Sequence, residues 1–428
     1  MTPNATSELD FPFQRHTLDN GLKVVLHRNP ALPLVAVNLW YHVGSKNERP
    51  GRTGFAHLFE HMLFQGSANV GTNEHFRYIQ QVGGVANGST WYDRTNYYET
   101  VPAHQLDLAL WLESDRMGFF LPALTPENLE TQRDVVMNER RQRIENQPYG
   151  LAGERLHELL YPEGHPYHWP VIGYMEDIEA ATLDDVRQFF QTYYTPNNAV
   201  LTVAGDFEPS EALSKIDTWF GEIPPGPPVP PVSAPLIPLN GERRTVLPDN
   251  VQLSRVYIGF RAPAYGDRRW YAADLLAGVL AGGKSSPLYR ELVYERQIAQ
   301  DVGASVSPYE AVATFLLVST ARPGVDPAEI EEVLLRHVAK AAAGPPAPEE
   351  LERARNRMLT DYYSSLQKLD NVADLFSQFT TYFDDPGGVA REAGRYLEIT
   401  PRDLTDYAAG WCGETERVVV TVVPREES

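Results

Sequence analysis

Two imidazoles four residues apart, with a carboxylate one position before the second, stand in His57-Leu58-Phe59-Glu60-His61. On an α-helix, residues i and i+4 share a face, so both rings can reach one cation while Glu60 points to the same side. Imidazole nitrogens suit Zn²⁺, and a catalytic zinc site takes three protein ligands and leaves a fourth position to water. A third ligand is therefore required from elsewhere in the chain. The helix itself is legible: Phe55, Leu58, Phe59, Met62 and Leu63 form an apolar stripe at three- and four-residue spacing, with Thr53 placed to cap its start and Gly66 to end it. The competing reading is a pair of core histidines satisfied by backbone or water. The surrounding sequence has to decide between the two.

The order H-x-x-E-H is the inverted form of a common zinc-protease signature. A second helical stretch runs through Gln132-Arg133-Asp134-Val135-Val136-Met137-Asn138-Glu139-Arg140-Arg141, and Glu139 lies 78 residues after His61. With these residues the chain resembles the M16 family of zinc peptidases, the inverzincins that include pitrilysin, insulin-degrading enzyme and the mitochondrial processing peptidase. In that family a glutamate in an R-x-V-V-x-x-E setting completes the zinc site, and Glu139 matches it. Thr17-Leu18-Asp19-Asn20-Gly21-Leu22 resembles the family's opening hairpin, and Gly83 to Thr90 resembles its substrate-binding edge strand. The likeness covers nearly the whole chain.

The resemblance implies one Zn²⁺ per chain, held by His57, His61 and Glu139, and a zinc-dependent endopeptidase that cleaves unstructured peptides. Glu60, beside His61 but not a ligand, has the chemistry of a general base toward an attacking water. The edge strand would take the peptide as an added strand, with Ala86, Asn87 and Gly88 as its contacts. Asn87 reads equally as a turn asparagine beside Gly88.

Two departures from the family pattern stand out. Where members often carry a glutamate seven positions before the third ligand, this chain has Gln132, which keeps a hydrogen-bonding carbonyl and loses the charge. Single-subunit and homodimeric members commonly grip substrate with an arginine and a tyrosine from the second half. Here Pro287 and Gln300 stand at those places, and neither can replace a guanidinium or a phenol. Either other residues substitute, or the pair comes from another chain. The expectation is a heterodimer with a homologous subunit, with a homodimer as the alternative. A different class of function, a metal-binding scaffold subunit without proteolysis, is disfavoured by the intact set of His57, Glu60, His61 and Glu139.

The elements that position these residues follow from the rest of the sequence. A chain of 428 residues with 43% hydrophobic content exceeds one ordinary core. The run Ile223-Pro224-Pro225-Gly226-Pro227-Pro228-Val229-Pro230-Pro231 reads as a semi-rigid spacer. It separates residues 1–222, a zinc-binding domain, from residues 241–428, a homologous domain without zinc ligands, with 223–240 as linker. The halves repeat: Leu34–Val43 matches Leu253–Phe260, and Thr182-Leu183-Asp184-Asp185 leading to Val200–Ala204 matches Thr400-Pro401-Arg402-Asp403 leading to Val418–Val423. Each copy mixes helices with a largely antiparallel sheet, an α+β class, and the resemblance implies that the two face each other across a peptide-binding cavity. Shifting the motif by 218 puts Leu275, Gly278 and Val279 opposite His57, Glu60 and His61, so the second copy has no ligands.

Composition excludes other classes. Net charge is 37 minus 57, or −20, which argues against a nucleic-acid partner. It fits either a solubilising surface or a preference for basic or neutral peptides. The single cysteine, Cys412, rules out an internal disulfide and any Cys-based zinc site. No apolar run approaches the roughly 20 residues of a membrane span, and residues 1–14 lack a basic n-region and an apolar h-region. The expected location is the cytoplasm, or the periplasm if a signal peptide preceded this numbering. Gly282-Gly283-Lys284-Ser285 lacks the first glycine of a phosphate loop and follows a helix, so nucleotide binding is not expected.

Overall fold

A computed structural model of the chain describes residues 11–425; of the stretch 1–14 considered for a targeting signal, residues 1–10 lie outside. Eleven strands among the described residues form two sheets. The first holds β1 (Gln14–Thr17), β2 (Lys23–Arg28), β3 (Leu34–Tyr41), β4 (Val85–Thr90), β5 (Thr95–Pro102) and β6 (Ala199–Gly205), in the order β1-β2-β6-β3-β5-β4. The second holds β7 (Arg243–Asp249), β8 (Arg255–Ala262), β9 (Ala299–Val306), β10 (Ala313–Ala321) and β11 (Arg417–Pro424), in the order β7-β11-β8-β10-β9. One pair in each sheet is parallel, β2 with β6 and β7 with β11, and the other pairs are antiparallel. From β2 and β7 onward the two halves repeat strand for strand. The mixed, mostly antiparallel α+β class read from the sequence is the class the chain adopts.

Local chemistry explains matching landmarks. Gly21, at φ 89°, closes the turn between β1 and β2. The helices Leu183–Tyr193 and Pro401–Trp411 both begin with a reciprocal capping box, Thr182 with Asp185 and Thr400 with Asp403. Residues 224–240 form neither helix nor strand, as a proline-rich stretch without ladder donors must.

The chain divides into two compact units, each assembled from three segments. One comprises Met1–Asn138, Trp169–Val232 and Tyr363–Glu392; the other comprises Glu139–His168, Ser233–Tyr362 and Ala393–Ser428. The contiguous ranges 1–222 and 241–428 therefore each carry one sheet, but they do not say which helices cover it. Helix Leu369–Phe383, from the second half, packs on β3 and β6, and helix Ala152–Leu160, from the first half, packs on β8 and β11. In the first unit, β3 is buried along nearly its whole length because both faces are covered. Val35, Val37, Leu39 and Tyr41 join a core with Phe55 and Phe59, while Trp40 and Val200 pack with Val372, Phe376 and Phe379 on the other face. Each such side chain contributes roughly 1.5–3 kcal/mol of burial. In the second unit, Gly259 of β8 lets Leu156 and Leu160 approach the strand; a Cβ there would lie 3.0 Å from both. Among the described residues, no helix is long and apolar enough to cross a membrane.

Candidate metal and catalytic site

The motif helix spans Phe55–Met62 and buries Phe55, Leu58, Phe59 and Met62, which leaves His57, Glu60 and His61 half-buried on its other side. Its start differs from the expected one. Thr53 does not cap it: its amide and hydroxyl both donate to Asp177 Oδ2, at 3.1 and 2.7 Å. The N-cap is Gly54 in the left-handed region at φ 81°, where a Cβ would meet the Ile172 carbonyl oxygen at 2.6 Å. Glu48 reaches in from outside and accepts the amides of Gly54 and Ala56 at 2.9 and 2.8 Å. One carboxylate thus satisfies two orphan donors at the positive end of the helix. Burial nevertheless pushes the Glu48 carboxyl well above its usual range, against the pull of those amides. Nor does Gly66 end the helix, which stops at Met62 with Leu63 as its C-cap; Gly66 makes a later turn at φ 117°.

The two histidine rings lie 4.8 Å apart between centroids, with planes at 69°. Glu139 is at the end of helix Pro126–Arg140, whose body through Asn138 belongs to the same unit as the motif helix. His57, His61 and Glu139 each offer one ligand atom, and these atoms lie within 4.8 Å of one another. Two imidazoles and one carboxylate fit Zn²⁺ with a fourth position open. Arg143 Nη1 pairs with Glu139 Oε1 at 2.5 Å from the next turn. That turn, Arg141–Glu145, has π-helical geometry, a feature frequent at functional sites for which the sequence offered no signal. Gln132 lies buried two turns before Glu139 on the same helix.

Glu60 Oε2 accepts a hydrogen bond from Thr90 Oγ1 of β4 at 2.6 Å. A Cβ on Gly88 would lie 3.1 Å from Glu60 Cγ and 3.1 Å from the Phe64 ring, so β4 runs directly beside the carboxylate. Among the described residues β4 is the last strand of its sheet and pairs only with β5. Ala86, Asn87 and Gly88 all lie on it. Asn87 is exposed and its Oδ1 accepts the Gly88 amide at 2.9 Å, so the turn-type contact weighed for it is present. In the second half, Leu275 and Val279 are buried in helix Arg268–Ala281, Pro287 opens the short helix Pro287–Tyr289, and Gln300 is exposed on the edge strand β9.

Sequence reasoning passed over one cluster. His75 is buried with Nε2 3.0 Å from Glu99 Oε1. Arg116 Nη2 pairs with Glu113 and lies 3.4 Å from Glu99 Oε1, with its guanidinium over the Tyr97 and Phe64 rings. Burial first, and then Arg116, drives the His75 imidazole well below its ordinary range, while burial and the neighbouring Glu113 drive the Glu99 carboxyl up. Arg116 fills the cation position of this group, which makes it a packed ion network. Its members come from a helix, a strand and another helix with no regular spacing, so no motif could announce it. The loop containing His165 and His168 is packed: His165 Nδ1 accepts the Tyr167 amide at 3.1 Å, and His168 Nδ1 bonds the Tyr161 carbonyl at 2.8 Å.

Known proteins share both this two-sheet α+β architecture and the sequence that builds it. The sequence model of Insulinase (Peptidase family M16) matches residues 23–167, and that of the Peptidase M16 inactive domain matches residues 180–358. A Helicobacter pylori protein named zinc protease PqqE is 30% identical over 419 residues, covering 95% of this chain and 92% of that one. The Bacillus subtilis protein named uncharacterized zinc protease YmxG is 28% identical over 297 residues, 69% of this chain and 71% of its own. A crystal structure of a protease from Helicobacter pylori aligns with a TM-score of 0.91 at 28% identity, over 97% of this chain and 100% of that one. An M16-like peptidase from Alicyclobacillus acidocaldarius shares the fold, with a TM-score of 0.83 at 22% identity over 98% and 100% of the two chains. The chain belongs to the M16 peptidase family and is of its half-size type.

Proposed function

We propose that this chain is a zinc-dependent endopeptidase for unstructured peptides, with His57, His61 and Glu139 as ligands and Glu60 as general base. The observation that carries the reading is the convergence of the three ligand groups beside a carboxylate held by Thr90 at an open sheet edge. The relatives' names, zinc proteases, agree with it. Zn²⁺ at such a site lowers the pKa of a water toward 7 and polarises a carbonyl. Glu60 takes the proton of the attacking water and passes it to the leaving amine, and the Thr90 hydroxyl holds its carboxylate in place. Strand β4 offers main-chain donors and acceptors to an extended peptide, with Ala86, Asn87 and Gly88 as contacts. Gly88, lacking a side chain, keeps the space between that peptide and Glu60 open.

Pro287 and Gln300 extend the proposal to quaternary structure: a homologous subunit bearing the arginine and tyrosine completes the enzyme. The test is hydrolysis of a mixed set of unstructured peptides by the zinc-loaded chain alone, with Glu60→Gln as control. Cleavage lost in the control supports the peptidase and makes a partner unnecessary. Bound zinc without cleavage, followed by activity when a co-purifying homologue is added, supports the two-subunit enzyme. Ordinary cleavage by Glu60→Gln would sink the assignment.

A further inference from the structure

Side chains on a strand alternate between its two faces, and on β4 the two faces meet different surroundings. Gly88 and Thr90 face Glu60. Asn87 and Ser89 point the other way, on the face shared with Tyr98, Asn96 and Asn38 of the neighbouring strands and covered by helix Leu369–Phe383. Between that helix and β4 lies a polar recess of about 130 Å³, lined by Asn38, Ser89, Arg94, Tyr98, Asp370 and Asp374 among others.

The charges in this recess do not cancel. Asp374 Oδ1 accepts from Trp40 Nε1 at 2.8 Å and from the Asn38 and Asn96 amides at 3.2 Å each. All three donors are neutral, so they fix the carboxylate without neutralising it. Asp370 stands one turn earlier on the same helix face. Among the described residues, neither carboxylate has a cation within ion-pair distance. Arg94 donates to Ser89 O, Ser89 Oγ and Asn96 Oδ1 and lies over the Trp40 ring, so its hydrogen bonds go to neutral acceptors. Two carboxylates against one guanidinium leave the recess one negative charge in surplus. Asp370 alone would be explained by its place in the first turn of a helix. Asp374, a turn further in, braces Trp40, Asn38 and Asn96 and still adds its charge to the open space beside β4.

We infer that this recess is a side-chain subsite for a lysine or arginine of a peptide added to β4. The inference rests on the peptidase reading above and specifies its substrate class. A strand added to β4 would lie about 4.8 Å beyond it, and every second side chain would turn toward Asn87 and Ser89. Lysine and arginine are the cationic side chains with enough stem to cross one strand spacing and place their charge at Asp370. Asp370 and Asp374 repel anionic side chains at the same position, and Arg94 is already tied to Ser89 and Asn96. The overall surplus of acidic residues, −20 in formal charge, draws basic peptides toward the chain.

The experiment is an arginine scan. Single norleucine positions of one unstructured peptide are replaced in turn, and each peptide is measured for binding to zinc-loaded Glu60→Gln chain by fluorescence anisotropy and for kcat/KM with the unaltered chain. The expected result is a gain of at least tenfold, about 1.4 kcal/mol, at one position or at positions two apart. Asp370→Asn brings the arginine-to-norleucine ratio at that position close to one, and Asp370→Lys inverts it in favour of glutamate. Asp374 is left intact because it braces Trp40 and Asn38, and thermal melting checks that the Asp370 variants fold. A flat scan, or a ratio unchanged in both variants, overturns the subsite. A flat scan with ordinary cleavage leaves the peptidase standing without it. Arginine-dependent binding with no cleavage of any peptide, alone or with the homologous subunit added, keeps the subsite and removes the peptidase.

Discussion

The helices Phe55–Met62 and Arg268–Ala281 each follow the second strand of the same repeated topology, yet only one carries chemistry. Where the first presents His57, Glu60 and His61 on a half-buried face, the second presents Leu275, Gly278 and Val279, two of them buried. The sheet edges differ in parallel. On β4, Gly88 sits against Glu60, so one methyl group would crowd the candidate base; on β9, a Cβ at Gly303 would make an ordinary 3.4 Å contact with Val318. The lesson is that the α+β scaffold tolerates either occupant. The strand ladder is set by main-chain pairing and by the apolar faces, and in the first half the three positions that carry the metal site lie outside both, while in the second half Leu275 and Val279 join the packing.

The strongest way to break this contrast is at the ligands. His57→Ala, His61→Ala or Glu139→Gln should remove zinc, read by metal analysis, and activity together, while Glu60→Gln keeps the metal and lowers turnover by about 10²–10⁴. Zinc retained by the histidine variants would mean that the metal sits elsewhere. Next comes the pair of edge glycines. Gly88→Val should cut kcat/KM by roughly tenfold to a hundredfold with zinc content unchanged, because it displaces Glu60 and β4. Gly303→Ala should alter stability by less than about 0.5 kcal/mol. Equal effects from both would remove the distinction between the edges.

A third test addresses the exchanged helices. Phe376→Ala should destabilise the unit carrying the first sheet by about 3–5 kcal/mol, although the residue comes from the second half, and Leu156→Ala should weaken the unit carrying the second sheet by about 2–5 kcal/mol. Chemical denaturation with a probe in each sheet tells them apart. The smallest expected effect is on pH. Burial lowers His157 and His165, both in the second unit, to about 4 from an ordinary value of 6.5. A folded state that prefers the neutral imidazole has its full benefit above pH 6.5 and loses it as pH falls toward 4. The melting temperature should drop over that window, and His157→Asn should flatten part of the drop.

The motif helix was legible because its signal is local: an apolar stripe at helical period and two histidines one turn apart. Its cap was not, since Glu48 lies outside the helix and reaches Gly54 and Ala56 only through the fold of the intervening turn. The duplication was legible from matching strands and from the Thr182 and Thr400 boxes, each of which lies within four residues of sequence. The network of His75, Glu99, Glu113 and Arg116 was invisible, because three elements contribute to it and none carries a spacing that chemistry alone would require. The recess at Asp370 and Asp374 was hidden for the same reason: β4 and the helix beside it are about 280 residues apart in sequence.

By itself the sequence determined the type of each local element, the pair of imidazoles on one helical face, the repeat of the two halves, and the absence of ligands in the second. Those follow from periodicity and side-chain chemistry over a few turns of chain. Tertiary structure alone decided that helix Leu369–Phe383 covers the first sheet and helix Ala152–Leu160 the second, that Glu139 meets the two histidines, and that an acidic recess opens behind β4. Both exchanged helices are amphipathic and present similar apolar faces, so their sequences specify burial but not a partner. The partner is chosen by which sheet face has the matching shape.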